Sequence, residues 1–214
     1  GMINHLLQNA DFDPLVVEAE EGQGLLELKD GGFCAEVAPQ HPAVLARLIT
    51  LAERIDELPV ALRTALEGWK DSRRCALSDT PAVPVLGITG TGGAGKSSLV
   101  DELLIRYLRD FPERTVAVVS VDPSKRRTGG ALLGDRIRMN SLSNPRVFMR
   151  SLATRGSASE VSAATGESLE ILKLAGFDLV LLETAGIGQG DSDVVDLSDL
   201  CAYVMTPEYG APSQ

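Results

Sequence analysis

Residues 85–97 read Val-Leu-Gly-Ile-Thr-Gly-Thr-Gly-Gly-Ala-Gly-Lys-Ser, an apolar run that leads directly into a glycine-rich stretch. From Gly90 to Ser97 the residues match the pattern G-x-x-x-x-G-K-[ST] at every position. The glycines let the backbone wrap closely around a phosphate, and a helix that begins near Lys96 would add the positive end of its dipole. The stretch therefore predicts a strand, a phosphate-binding P-loop and a helix, in that order.

The side chains of this loop have predicted roles in binding a magnesium–nucleoside triphosphate. Lys96 is a compact cation suited to the β- and γ-phosphates, and the Ser97 hydroxyl is placed to bind Mg²⁺. The other nucleotide contacts are assigned to the rest of the loop and the first helical turn, namely Gly90, Thr91, Gly92, Gly93, Ala94, Gly95 and Ser98. A chance glycine-rich turn is the alternative, but the strand before the loop and the helix after it favour phosphate binding.

The sequence around the loop alternates between strand and helix patterns. Strands are predicted at 85–89, 115–121, 147–149, 177–183 and 202–205, and helices at 96–110, 131–142 and 167–175. This alternation favours right-handed crossovers, and hence an α/β fold with a mostly parallel sheet and helices on both faces. In helix 96–110 we expect Leu99 to face the core and Asp101 to face water.

A helical hairpin is predicted before the loop. Apolar residues recur at helical spacing from Val44 to Ile55, Pro59 ends that helix, and a second helix follows from Leu62 to Trp69. The predicted division is therefore an N-terminal extension at 2–41, the hairpin and a linker at 42–82, and a P-loop domain at 83–214. For the extension, the pattern leaves short strands and disorder open.

Composition narrows the classes of function. The formal net charge is −10 and 44% of the residues are hydrophobic, which is ordinary for a globular chain with a real core. The acidity argues against DNA or RNA as a partner, because nucleic-acid binders usually carry a basic footprint. The three cysteines lie far apart, and no apolar run suits a signal peptide or a membrane span. We therefore expect a cytoplasmic protein without a membrane partner.

Two carboxylates follow predicted strands. Asp122 comes after the strand 115–121, and Glu183 closes the apolar run that begins at Leu179. Ligands of open α/β sheets bind beyond the carboxyl ends of the strands, and Mg²⁺ prefers oxygen ligands, so both are candidate metal ligands. A solvated residue at a strand end is the alternative for each. A carboxylate buried after four apolar residues would need a partner, which favours function for Glu183.

The residues after this strand suggest a nucleotide-dependent switch. Glu183-Thr-Ala-Gly186 looks like a variant of the D-x-x-G motif, in which the Gly186 amide would contact the γ-phosphate. Loss of that phosphate would then release the loop. Gln189 could orient a water, and an ordinary loop glutamine is equally compatible. The candidate catalytic residues are therefore Lys96, Glu183 and Gln189.

Together, the motifs resemble the GTPase chaperones of adenosylcobalamin-dependent acyl-CoA mutases, the MeaB/ArgK-like group. The resemblance covers about residues 43–214 and is strongest to the G domain of fused isobutyryl-CoA mutase. The motifs that carry it are residues 87–98, Val121-Asp-Pro-Ser, Thr128-Gly-Gly-Ala-Leu-Leu-Gly-Asp-Arg and Glu183-Thr-Ala-Gly-Ile-Gly-Gln-Gly-Asp. It implies a P-loop NTPase that hydrolyses GTP to GDP with Mg²⁺, gates cofactor loading and protects a methylmalonyl- or isobutyryl-CoA mutase. It also implies that Asp122, Asp135 and Glu183 surround the metal together with Ser97. Asp135 is a candidate metal-site residue only because of this resemblance. A homodimer is compatible with it.

Two motifs of such proteins are missing from this sequence. No Asn-Lys pair occurs, so the guanine-reading N-K-x-D is absent, and without D-x-H-x-x-G no direct cobalamin binding is expected. We expect a fragment of a larger protein or a truncated relative. Two alternatives stay open: a module that binds nucleotide without turnover because of truncation, and a metallochaperone-type GTPase, which the lack of Cys/His clusters disfavours.

Overall fold

The computed structural model describes residues 28–29, 32–33, 37–123, 139–154, 158–184 and 190–206. The first elements are two short antiparallel strands, β1 (Leu28–Lys29) and β2 (Gly32–Phe33). Helices α1 (Pro42–Glu53) and α2 (Val60–Ala76) follow and form the predicted hairpin. Pro59 stands at the N-cap of α2, and a 3₁₀ turn at Ile55–Glu57 joins the helices, so Ile55 lies outside α1. Of the short strands considered for the extension, the one at residues 15–19 lies outside the described residues.

A parallel sheet follows, and its strands confirm the five predicted segments. They are β3 (Val85–Gly90), β4 (Val116–Pro123), β5 (Val147–Thr154), β6 (Leu179–Thr184) and β7 (Leu200–Val204). Their spatial order is β5-β4-β6-β3-β7, with every neighbouring pair parallel. Because β3 and β6 are neighbours, the residues that follow them meet at one edge of the sheet.

In the described part of the chain, the α-helices of the crossovers between these strands are α3 (Lys96–Asp110), α4 (Ala158–Ala175) and α5 (Gly190–Leu197). Helix α3 has the predicted bounds, α4 starts at residue 158 rather than 167, and α5 was not predicted. Most of the helix expected at 131–142 lies outside the described residues. Its described end belongs to a 3₁₀ helix, Asn140–Ser143.

Side chains alternate along the sheet and form a core on each face. On β4, Val116 and Val118 pack on the side of α3, whereas Ala117 and Val119 pack on the side of α1, α4 and α5. All four are buried completely, as expected for a central parallel strand with both faces covered. This is the α/β architecture predicted from the sequence.

The hairpin is held against α4 by a charged cluster. Lys70 on α2 is only 1% exposed and contacts Glu67 on its own helix and Glu167 and Glu170 on α4. Burial by itself lowers the pKa of Lys70, but the hydrogen bonds to Glu167 and Glu67 outweigh it and raise that pKa above its ordinary value. The buried ammonium therefore stays charged and joins the hairpin to the sheet-covering helix.

Two predictions for α3 are wrong. Leu99 is 37% exposed, whereas Asp101 is 9% exposed. Asp101 accepts hydrogen bonds from the backbone N–H groups of Asn140 at 3.1 Å and Ser141 at 2.9 Å, so it caps the 3₁₀ helix. Burial raises the pKa of the Asp101 carboxyl, but hydrogen bonds from the side chains and backbone of Ser141 and Asn140 outweigh it and lower the pKa below its ordinary value. An acid can thus occupy the inner face of the helix because it has buried donors.

Candidate nucleotide-binding site

The predicted P-loop connects β3 to α3 and contains backbone that only glycine adopts easily. Gly90 has φ +141°, and a β-carbon there would lie 1.9 Å from the Val204 carbonyl oxygen, so the loop begins in close contact with β7. Gly93 and Gly95 have φ +78° and +87°. By contrast, no atom of the described residues lies within 4 Å of a β-carbon built at Gly92, Gly93 or Gly95. The loop therefore combines a fixed start with open space along its glycines.

Lys96 is the first residue of α3, and its side chain turns back over the loop. Its ammonium group donates hydrogen bonds to the carbonyl oxygens of Gly90 at 3.0 Å and Thr91 at 2.9 Å. The Ala94 N–H also donates to the Thr91 carbonyl at 3.2 Å. These contacts hold a buried positive charge at the helix N-terminus, where the helix dipole also favours an anion.

Ser97 and Glu183 come together across the end of the sheet. The Ser97 hydroxyl donates a hydrogen bond to Oε1 of Glu183 at 2.7 Å, and Glu183 is 4% exposed. Glu183 lies on β6, opposite Ile88 of β3 on one side and Ser120 of β4 on the other. Hydroxyl and carboxylate oxygens are ligands that Mg²⁺ accepts, so this pair fits the predicted metal site.

A hydrogen bond between two threonine hydroxyls lies beneath the loop, and the sequence analysis did not predict it. The Thr184 hydroxyl donates to that of Thr89 at 3.1 Å, and both residues are buried. Thr89 precedes Gly90 and Thr184 follows Glu183, so the bond ties β3 to β6 directly below the site. The only sequence signal was a threonine at the end of each strand.

The other predicted site residues lie partly or wholly outside the described residues. The backbone of Asp122 lies near the end of β4, one residue after the Val121–Thr184 pairing, at the same edge of the sheet as Glu183. Its side chain, and all of Asp135, Gly186 and Gln189, lie outside the described residues. Their metal-binding, nucleotide-binding and catalytic roles stay predictions.

Comparison with known families assigns the chain. The family described as methylmalonyl-CoA mutase-associated GTPase MeaB matches residues 45–214. The chain belongs to the MeaB family. Within the described ranges of this MeaB-family chain, no helix has both the length and the apolar character that a membrane span requires.

Several relatives carry the name of a mutase. The MeaB-family chain is 49% identical over 219 residues to a fused isobutyryl-CoA mutase of Geobacillus kaustophilus, covering 100% of this chain and 18% of the relative. It is 57% identical over 159 residues to a fused isobutyryl-CoA mutase of Cupriavidus metallidurans, covering 72% of this chain and 14% of that one. The chain thus spans less than a fifth of the length of these relatives.

A solved structure, titled LAO/AO transport system kinase, supports the assigned fold. It matches with a TM-score of 0.53 and 25% sequence identity, and the match covers 78% of this chain and 46% of that one. The parallel sheet of the MeaB-family chain therefore agrees with the P-loop NTPase fold that the loop pattern predicts.

Proposed function

We propose that this chain binds GTP with Mg²⁺ at residues 90–98, hydrolyses its β–γ phosphoanhydride, and serves as a switch for an adenosylcobalamin-dependent acyl-CoA mutase. The observation that carries the proposal is the meeting of Lys96 and the Ser97–Glu183 pair at one end of the parallel sheet, beside an open glycine loop. Membership of the MeaB family supports GTP as the nucleotide. The names of the fused relatives support a mutase as the partner.

The chemistry requires mainly positioning and neutralisation of charge. In this proposal the loop amides and the N-terminus of α3 hold the phosphates, and Lys96 neutralises charge on the β–γ bridge. Ser97 and Glu183 hold the Mg²⁺, which would supply further positive charge to the phosphate oxygens. Asp122 and Asp135 complete the metal site, and Gln189 orients the attacking water.

The switch would act through the residues that follow β6. Gly186 is proposed to contact the γ-phosphate, and it lies in sequence between Thr184 and α5. Helix α5 packs tightly on the P-loop strand, since a β-carbon at Gly87 would lie 2.6 Å from both Val194 and Ser198. We propose that a change at Gly186 on loss of phosphate is passed along the chain to α5.

The proposed division of the chain has three parts, and we propose a role in signalling for the helical hairpin. The P-loop domain is 83–214, the hairpin and linker are 42–82, and the extension is 2–41. The charged cluster around Lys70 fixes the hairpin on α4, which supports a role for the hairpin in carrying movement of the P-loop domain to a mutase. Direct cobalamin binding is not part of the proposal.

Nucleotide binding and phosphate release test the proposal. Wild-type chain should bind GTP with Mg²⁺ and release phosphate from it. Lys96→Ala should bind at least about 100-fold more weakly, because each hydrogen bond to a charged group contributes about 1.5–3 kcal/mol. Lys173→Ala on α4 is the matched control and should bind as wild type does.

These measurements test the site assignment, the alternative of a nucleotide-binding module without turnover, and the partner. Equal affinity in Lys96→Ala and wild type would show that the site is assigned wrongly. Binding without phosphate release, in this chain alone and with a mutase present, would select a nucleotide-binding module. The partner is tested by following the inactivation of an isobutyryl-CoA mutase during turnover, which the chain with GTP should slow and Lys96→Ala should not.

A further inference from the structure

Thr91 has one polar group in use and one without a partner. Its carbonyl oxygen accepts from the Lys96 ammonium at 2.9 Å and from the Ala94 N–H at 3.2 Å. Its hydroxyl oxygen is buried and has no hydrogen-bond partner among the described residues. The residue therefore supports the P-loop through its backbone, while its side chain contributes no bond to this loop conformation.

Such a hydroxyl is unfavourable for the loop as it stands. Buried polar groups in folded proteins are nearly always hydrogen-bonded, and one that is not has lost its contact with water without replacement. Valine has the same branched shape as threonine and would fill the same space without that loss. Stability of this loop conformation does not explain a threonine at position 91.

The bound nucleotide can supply the missing acceptor. The carbonyl oxygens of Gly90 and Thr91 accept from Lys96, and among the described residues neither accepts a hydrogen bond from the Thr91 hydroxyl. Beside Thr91 the loop is open at Gly92 and Gly93, where no atom in the described part of the chain lies within 4 Å of an added β-carbon. A polyphosphate in that space brings charged oxygens, which are strong acceptors for a hydroxyl. A change of the threonine rotamer is enough to turn its hydroxyl from one staggered position to another.

We propose that Thr91 is a nucleotide-dependent contact, whose hydroxyl donates a hydrogen bond to an oxygen of the bound triphosphate and has no partner when the loop is empty. This inference rests on the proposed function, because it requires a triphosphate at residues 90–98. It gives the side chain of the second P-loop position a role in affinity that the loop pattern does not assign, since any residue is allowed there.

The test compares affinity and stability in the same variants. Thr91→Val should bind a slowly hydrolysed GTP analogue with Mg²⁺ about tenfold more weakly, as expected for one hydrogen bond to a charged group. Without nucleotide the same variant should melt about 2–4 °C higher. Thr91→Ser keeps the hydroxyl and should bind as wild type does.

Thr206 provides the matched control. Its hydroxyl is also buried and has no partner within the described ranges, but Thr206 follows β7 and lies outside the P-loop. Thr206→Val should therefore raise the melting temperature of the nucleotide-free protein and leave the affinity for the analogue unchanged.

Results that contradict the role of Thr91 differ from results that contradict the proposed function. The inference is overturned if Thr91→Val binds the analogue as tightly as wild type, if it melts lower without nucleotide, or if Thr91→Ser loses as much affinity as the valine variant. An equal loss of affinity in Thr206→Val would also overturn it, because the effect would then belong to the sheet edge. If wild type itself fails to bind, or Lys96→Ala binds equally well, the proposed function fails instead.

Discussion

The Ser97 hydroxyl and the Glu183 carboxylate meet at 2.7 Å, although 86 residues separate them in the sequence. Ser97 belongs to the first turn of α3, and Glu183 lies near the end of β6. A hydroxyl can donate one hydrogen bond and still offer lone pairs to a metal. In the proposed function, this bond to Glu183 would orient the serine oxygen toward Mg²⁺.

Glu183→Gln should weaken the response to magnesium more than it disturbs the fold. The amide keeps the size of the side chain but removes the negative charge that favours Mg²⁺. The magnesium concentration for half-maximal phosphate release should rise about 10–100-fold, the usual effect of altering a metal site or its supporting residues. Glu167→Gln, on α4, is the control and should leave the magnesium response unchanged. The same magnesium response in Glu183→Gln as in wild type would contradict the assigned ligand.

Two glycines of the P-loop should respond differently to alanine. At Gly90 the new β-carbon would lie 1.9 Å from the Val204 carbonyl oxygen, so Gly90→Ala should lower the free energy of unfolding by about 3 kcal/mol or prevent folding. Gly92→Ala meets no atom within 4 Å and should fold normally. Its methyl group would enter the space proposed for the phosphates, so its affinity for GTP should fall. Urea unfolding and nucleotide titration measure the two effects, and equal stability of both variants would contradict the packing at β7.

Asp101 should stabilise the fold in a pH-dependent way. Asp101→Ala leaves the N–H groups of Asn140 and Ser141 without their acceptor and should cost about 1–3 kcal/mol at neutral pH. Because the folded-state pKa of Asp101 lies below its ordinary value of 3.8, its contribution is present above that pH. The contribution is lost as the pH falls through the folded-state pKa. Urea unfolding between pH 7 and pH 3 should show the difference from wild type shrinking in acid, whereas the exposed control Glu102→Ala should stay close to wild type throughout.

Lys70 should matter more than its exposed neighbour Arg74, although both contact Glu170. Lys70→Ala removes a buried ammonium from three glutamates and should cost about 2 kcal/mol, less than for a wholly buried pair because the glutamates reach water. Lys70→Met keeps the apolar stem and should cost less, and Arg74→Ala should cost under about 1 kcal/mol. A similar melting temperature for Lys70→Ala and Arg74→Ala would contradict this ranking.

The pH response of the same cluster has the opposite sign to that of Asp101. The folded-state pKa of Lys70 lies above its ordinary value of 10.5, so its contribution is complete below that pH. It is lost as the pH rises through the folded-state pKa. The stability difference between wild type and Lys70→Met should therefore narrow above about pH 10.5. A difference that widens in alkali would exclude the charged form as the stabilising one.

Local patterns in the sequence were enough to place most elements. The glycine pattern at 90–97 predicted the P-loop, and the bounds of α3 agree with its apolar spacing because both depend on neighbouring residues. The same holds for the strands, whose apolar runs are short and buried on both faces. The start of α4 was missed, because the nine residues from Ala158 to Gly166 are mostly small or polar, with Val161 the only large apolar side chain among them.

The pairing of these elements depends on contacts between distant residues, which no local pattern contains. The spacing along α3 placed Asp101 toward water, and only the packing of residues 140–141 against that helix supplies the donors that allow its burial. The cluster around Lys70 likewise requires α2 to lie on α4. The sequence by itself thus determined which residues form the phosphate loop. The order of strands decided that Ser97 would face Glu183, because only β6 beside β3 brings those two oxygens together.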